Sequence, residues 1–596
     1  MKTMNHTFHI PVLGLAFSVD TPLKVAQYGI SSVVSIVDDE LLERLRGYYS
    51  RLNNLGYEEI KKHTPDARAN RITAYLNLLK DLVEKQVSHI RTSNWLKDEH
   101  AVQYFNLLPE GVLKQLFKRW VNLEPGQEKE KLTQTIRAQI IPGDIDVNIM
   151  SKVDKINYDA QGVMMAEHYS DASAALRGFA NSGLHSSIIL SAGMNPRLYT
   201  YLAEFPAFMP NSAGKFDKKI TLKVSDYRSA LIQAKFLAKR GIWISEYRIE
   251  SGLNCGGHAF ATEGFLLGPI LEEFKTNKQQ IIQEVLPLYE QALSERGLAL
   301  FETPELKITV QGGVGTNEEH QFLLNYYGVD QVGWGSPFLL VPEATTVDEE
   351  TLQNLAHAEA SDFYISNASP LGVPFNNFKK STAEKSRLAR IEQGKPGFPC
   401  TKKYLVSNNE YGDELMCTAS RQYQNQKIKE LKSAEIGGEA YQRAFNKIVE
   451  KQCLCEGLAT PAYLKYDILK PRERRAVAIC PGPNTAYFNK VYSLKEMVDH
   501  IYGRINVLKN VERPSFFVNE LELYVNHLKA YIQNNVTDLD IKKRKYINKF
   551  NAQLLDGIAY YRKLQEQAQQ AFGESKASFF EQLRTYEMQL KPLVVE

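Results

Sequence analysis

The sequence predicts an α/β protein built on a (β/α)8 TIM barrel, with a helical insertion after strand two and a mainly helical C-terminal extension. Three observations carry this expectation. Eight short apolar or β-branched segments recur along the chain, helical periodicity separates several of them, and glycine-rich turns follow the last three. Eight strands with intervening helices fit a closed barrel better than an open sheet.

The first segment, HIPVLGLAF (9–17), is bounded by Pro11 and the turn-like SVDTP, as a short buried strand would be. TPLKVAQYGI (21–30) has helical spacing and ends at Gly29, and SSVVSIV (31–37) is β-branched, which completes a strand–helix–strand unit. The pattern then changes to long helices. In RITAYLNLLKDLVEKQVSHI, residues Ile72, Tyr75, Leu76, Leu79, Leu82, Val83 and Ile90 mark one helical face. No strand is expected before about residue 144, and a structureless connection of that length is improbable in a compact domain.

The alternation resumes with DIDVNIM (144–150), SSIILSAG (186–193), KITLKVSD (219–226), IWISEYRIE (242–250), LKITVQGG (306–313) and DQVGWGS (330–336). Helical segments at 227–241 and 316–328 separate several of these. In SFFVNELELYVNHLKAYI, residues Val518, Leu521, Val525, Leu528 and Ile532 follow the 3-4-3-4 spacing of one buried helix face. The expected organisation is a barrel of residues 1–37 and 142–384, a helical insertion of 38–141, a cysteine-containing extension of 385–490 and a C-terminal helical region of 491–596.

Composition narrows the partners. With 72 basic and 69 acidic side chains the net charge is only +3, so neither nucleic acid nor membrane is called for. The runs KPRERRA (470–476) and KKRKY (542–546) read as solvated faces, since no stacking-aromatic pattern accompanies them. The N-terminal twenty residues lack the apolar run and cleavage site of a signal peptide, and no later stretch has transmembrane length. A cytoplasmic location follows as an expectation, in which the six cysteines stay reduced as thiols or metal ligands.

In a (β/α)8 barrel the reactive groups lie at the carboxyl ends of the strands, and a phosphate is commonly held after strands seven and eight. Here QGGVGTNEE follows strand seven and GWGS belongs to strand eight. Gly312, Gly313 and Gly335 allow backbone N–H groups to approach an anion, the Ser336 hydroxyl can donate to it, and the helix after strand seven would add its positive end. Tight turns alone are the competing explanation of these glycines.

The order CGGH after strand six, GGVG after strand seven and GWGSPFL after strand eight resembles the nitronate monooxygenase (2-nitropropane dioxygenase) family. The related flavin-dependent enoyl-acyl carrier protein reductases share the same barrel. VNI (147–149) and DFYISNASPLGVPFNNF (362–378) extend the likeness, which covers about residues 9–37 and 144–380. The resemblance implies bound FMN, with its phosphate on Gly312, Gly313, Gly335 and Ser336, Asn148 near the ring, and Gly256 and Gly257 allowing close backbone approach. It also implies that His258 faces the reactive edge of the flavin as acid or base, a role suited to a side chain that titrates near neutrality. LAFSVD stands where the family has a proline-methionine-alanine-glycine pattern, and Gly333 where it often has a glutamine. Those departures imply a divergent substrate.

Two further readings concern cysteine. Cys255, beside His258, is either a nucleophile or an unreactive thiol. Cys400, Cys417, Cys453, Cys455 and Cys480 cluster in the extension and could ligate zinc or an iron–sulfur cluster, although no C-x-x-C pair is present; buried thiols are the alternative.

The expected function is thus FMN-dependent oxidation of a nitronate or similar carbanionic small molecule. The alternatives are a flavin-dependent enoyl-thioester reductase and a non-catalytic phosphate-ligand-binding barrel serving as an assembly or regulatory subunit. The helical regions offer surfaces for a carrier protein or a second copy of the chain.

Overall fold

The computed structural model describes residues 6–150, 154–159, 161–412, 414–535, 539–567 and 576–593. Residues 1–5, part of the N-terminal stretch read for a signal peptide, and residues 594–596, the end of the expected C-terminal region, lie outside the described residues.

All eight expected strands form: β1 (Phe8–Ile10), β2 (Ser31–Ser35), β3 (Ile145–Asn148), β4 (Ser187–Leu190), β5 (Lys219–Val224), β6 (Glu246–Glu250), β7 (Lys307–Gln311) and β8 (Gln331–Gly333). Each pairs in parallel with the next, and β1 closes on β8 through Phe8–Val332 and His9–Gly333, so the sheet is a closed barrel. The first strand is shorter than its apolar run because Pro11 has no N–H with which to continue the ladder.

The segment between β2 and β3 is helical, as expected. Its longest helix, Ala67–Thr92, buries the whole face marked by Ile72 to Ile90 and packs on helix Asp171–Ala180, which joins β3 to β4. After β8 the chain makes a hairpin of β9 (Phe363–Ser366) and β10 (Phe375–Phe378).

Near the C-terminus, helices Phe516–Asn535, Ile541–Gln567 and Lys576–Leu590 pack together and against Leu267–Glu295, the long helix between β6 and β7. Val518, Leu521, Val525 and Leu528 are buried there, and Ile532 is half-buried. One continuous hydrophobic core runs through barrel, insertion and C-terminal helices. No described helix is long and apolar enough to cross a membrane.

The barrel interior is unusually polar for a fold whose inner layers are normally branched apolar side chains. Arg248 on β6 is 2% exposed and pairs with Glu246 (2.7 Å) and with Asp146 on β3 (3.2 Å). Hydroxyls of Thr221 and Thr309 donate to the Glu246 carboxylate. Burial pushes the Asp146 carboxyl up; for Glu246 the same burial is outweighed by Arg248, which holds it well down. A buried charge of this kind is tolerable only when paired, and Arg248 is paired through Nε and Nη2, while its Nη1 has no partner among the described residues.

Candidate active site

The carboxyl ends of all eight strands open into a cavity of about 1940 Å³, bordered by Pro11, Ser35, Asn148, Ser191, Lys223, Glu250, Gln311 and Gly333 or their neighbours. The expected site residues Asn148, Gly256, Gly257, His258, Gly312, Gly313, Gly335 and Ser336 all line it. Sequence position alone had separated them by nearly two hundred residues.

On the loops after β7 and β8, the N–H groups of Gly313, Val314, Gly335 and Ser336 donate to no atom among the described residues. Gly313 has φ +80°, which a side chain would strain, and a Cβ there would lie 2.0 Å from the Asn254 amide. The Ser336 Oγ accepts a hydrogen bond from the Gly482 N–H at 2.8 Å, which leaves its own O–H available as a donor.

One expectation for this loop is corrected. The helix Asn317–Asn325 carries a carboxylate at its N-terminal end: Thr316 and Glu319 form a capping box, and the Glu319 carboxylate takes the N–H groups of Gly315 and Thr316. A carboxylate three residues into a helix satisfies the same orphan donors that an anion would need.

The loop after β6 carries His258, whose Nε2 lies 2.7 Å from the Ser369 hydroxyl and whose ring meets Phe375 edge-on at 5.3 Å. The hairpin holds this loop in place: Asn376 donates its backbone N–H to Gly257 O (2.9 Å) and its side-chain amide to Cys255 O (2.7 Å). Gly256 is needed for a different neighbour from the one expected. A Cβ there would lie 2.5 Å from Cys480 O, so its missing side chain lets the 480–482 backbone of the extension lie against the β6 loop.

From the other side, helix Phe516–Asn535 grips the same loop. Asn519 donates to Asn254 Oδ1 (2.9 Å), Asn254 donates to Phe516 O (3.2 Å), and the Ser251 hydroxyl donates to the buried Glu520 carboxylate. Burial raises Glu520 to about 7.

The cavity floor holds residues the sequence reading missed. Lys223 on β5 pairs with Glu250 on β6 at 3.1 Å, and Gln311 on β7 donates to Glu250 at 2.6 Å. The signal was present as polar residues at alternate positions, Thr221 and Lys223, Glu246, Arg248 and Glu250, Thr309 and Gln311, running to the strand ends. His9 lies under this floor, 2% exposed, with neither ring nitrogen in a well-formed hydrogen bond. Burial, reinforced by Arg248, lowers it to about 3, so it is neutral.

The Cys255 thiol sits 3.7 Å from Gln311 O, and burial pushes its ionisation far up, which fits an unreactive thiol. The metal expectation is corrected. Among the described residues, which include Cys400, Cys417, Cys453, Cys455 and Cys480, no group of three or more His, Cys, Asp or Glu side chains is placed to hold a metal ion. Cys400, Cys417, Cys453 and Cys455 lie near one another without forming a ligand set, and Cys480 lies beside the β6 loop. Cys400 and Cys417 hydrogen-bond each other, Cys453 meets Arg474, and Cys455 and Cys480 pack in a small apolar cluster with Phe375 and Leu454. Burial raises Cys453, Cys455 and Cys480 alike, with Cys480 pushed up to about 12, which disfavours their thiolates; Cys400 alone goes the other way, lowered to about 7 by the hydrogen bond from Cys417.

No protein-family profile matches the sequence, and no curated protein matches it. Solved structures with a related chain course include FabK from Thermotoga maritima (11% identity, 89% of this chain and 96% of that chain, TM-score 0.35). Nitroalkane oxidase from Streptomyces ansochromogenes is another (9%, 83% and 94%, 0.34). A third is the enoyl reductase domain of MlnA from the macrolactin biosynthesis cluster of Bacillus amyloliquefaciens (16%, 68% and 88%, 0.32).

Proposed function

We propose that this chain is an FMN-dependent oxidoreductase in which His258 moves the proton that accompanies electron transfer at a substrate carbon. One juxtaposition carries the reading: unused backbone donors on the loops after β7 and β8 border the same cavity as His258 on the loop after β6. The donor set suits a phosphate, since Gly313, Val314, Gly335 and Ser336 supply N–H groups and the Ser336 hydroxyl has its proton to give. Bound FMN would supply the electron acceptance and donation that these side chains lack.

His258 has the remaining task. An imidazole can take a proton from carbon or return one near neutral pH, and Ser369, Phe375 and Asn376 hold its ring and backbone in one orientation. The floor residues Lys223, Glu250 and Gln311 form a connected polar row on which a planar ligand's hydrogen-bonding groups can be met. A nitronate or similar carbanionic small molecule is one substrate class for such a site.

Cavity size favours a second. At about 1940 Å³ it exceeds the ~300–1,000 Å³ of ordinary ligand pockets. It also extends past Leu405 and Val406 on one side and past His527, Tyr531 and Tyr546 on the other, which supports a long substrate such as an enoyl thioester.

The test is a near-ultraviolet and visible spectrum of the purified protein, with identification of anything released on denaturation. Flavin bands and free FMN are expected; a colourless protein that takes up no added FMN sinks the reading. Nitronates and enoyl thioesters with NAD(P)H then separate the substrate classes. The variant His258→Ala is expected to retain FMN and lose at least ~100-fold in turnover, and unchanged turnover rejects the proton-transfer role.

A further inference from the structure

The β7 loop is organised by a residue far outside the barrel. Arg513, which precedes helix Phe516–Asn535, is 5% exposed and lies directly on the loop: a Cβ at Gly315 would be 2.8 Å from its guanidinium carbon. Its Nη1 pairs with Glu319 Oε1 at 2.6 Å, its Nη2 donates to Gly313 O, and its Nε donates to Asn484 Oδ1 at 2.9 Å. Asn484 in turn donates to Val314 O at 2.9 Å.

Two physical consequences follow. A trans peptide unit is planar, with its C=O and N–H directed oppositely, so anchoring Gly313 O on Arg513 also fixes the direction of the Val314 N–H, away from Arg513. Moreover, Glu319 is fully buried and carries its carboxylate to the base of a loop that is otherwise suited to an anion. Left unpaired, that charge would oppose an anion on the loop; paired with Arg513, it is neutralised where it stands.

We infer that Arg513 is a positioning residue of the phosphate-binding loop, contributed by the C-terminal extension: it sets the Gly313–Val314 peptide and cancels the charge of Glu319. The inference rests on the phosphate reading above. The role is positional because Nε, Nη1 and Nη2 of Arg513 are each engaged by the protein, on Asn484, Glu319 and Gly313.

The experiment compares FMN with riboflavin, which lacks the phosphate, as probes of the full-length protein by flavin fluorescence titration. Arg513→Met is expected to weaken FMN at least ~tenfold, the loss of one charge-assisted contact network, while riboflavin affinity stays unchanged. Adding Glu319→Gln to Arg513→Met should recover part of the FMN affinity, because the unpaired carboxylate is then gone. Arg513→Lys keeps a cation but not the fork, so it serves as the folded control should Arg513→Met fail to fold; it too should weaken FMN selectively.

FMN binding that is unaltered in Arg513→Lys, or a parallel loss of FMN and riboflavin, overturns the inference. If the wild type binds no FMN, the flavin reading fails separately, and inorganic phosphate becomes the probe. Thermal stabilisation by phosphate in the wild type that Arg513→Lys abolishes still supports the positioning role; no stabilisation by phosphate overturns it as well.

Discussion

The hydrogen bond from His258 Nε2 to Ser369 joins the candidate proton-transfer group to a hairpin outside the barrel. Ser369→Ala leaves the imidazole in place but unfastened, and we expect turnover to fall about tenfold with a changed pH profile, because a hydrogen-bonded partner sets both ring orientation and tautomer. Initial rates across pH check this; an unchanged profile removes Ser369 from the site. The two glycines before His258 should respond differently to alanine. Gly256→Ala drives a methyl group into Cys480 O and is expected to cost about 1–3 kcal/mol, read as a lower melting temperature. Gly257→Ala meets no atom within 4 Å, so only its left-handed backbone (φ +82°) is strained, at about 1–2 kcal/mol. CGGH was legible in the sequence as a turn placing a histidine, yet the neighbour that Gly256 accommodates was not, since Cys480 is more than two hundred residues away.

Among the elements, helix Phe516–Asn535 was legible as an amphipathic helix because its apolar residues repeat every three or four positions. The same spacing says nothing about Asn519 and Glu520, which are buried because they meet Asn254, Ser251 and the Leu267 N–H. Burial holds the folded-state Glu520 carboxyl at about 7 against an ordinary 4.5, with Tyr524, Tyr561 and Cys255 as its titratable neighbours. Between those two values the folded protein binds the extra proton, so stability falls as pH rises from about 4.5 to about 7. Glu520→Gln, which keeps both hydrogen-bond partners, abolishes this penalty. Its stability advantage over wild type is expected to grow across that window to about 3 kcal/mol, measured by urea unfolding at several pH values. A constant difference across pH would refute this account.

For the whole molecule, the continuous core means that the extension is part of the barrel's support. A chain ended after residue 384 loses Glu520, Arg513 and the apolar face of helix Phe516–Asn535 from the β6 and β7 loops, and is expected to lose its cooperative thermal transition, as calorimetry would report. Burial lowers all four histidines that are buried among the described residues, His6, His9, His320 and His500. Burial lowers His6 and His320 to about 4, and burial with Arg248 lowers His9 to about 3. The Trp334 indole N–H donates to His320 Nδ1, a bond that requires an unprotonated nitrogen. Because the unfolded chain takes up protons first, the stability these residues contribute is complete above pH ~6.5 and is lost as pH falls towards their folded values. His6 and His320 each contribute about 3 kcal/mol and His9 about 5 kcal/mol, so the urea midpoint should drop steeply between about pH 6.5 and 3.

The sequence by itself determined the strand count, the parallel α/β order, the helical insertion and the loops that carry the candidate site, because each follows from local periodicity and turn chemistry within one short window. Only the tertiary structure decided what completes that site. Lys223, Glu250 and Gln311 become a floor once the barrel closes and turns their alternating positions inward. Glu319 becomes a cap rather than a free helix end because its carboxylate folds back on Gly315 and Thr316. Arg513, Gly482 and Glu520 reach the β6, β7 and β8 loops across 146 to 269 residues of chain. Contacts at such separations leave no periodic trace in sequence; the one hydrophobic core that barrel and C-terminal helices share is what brings them together.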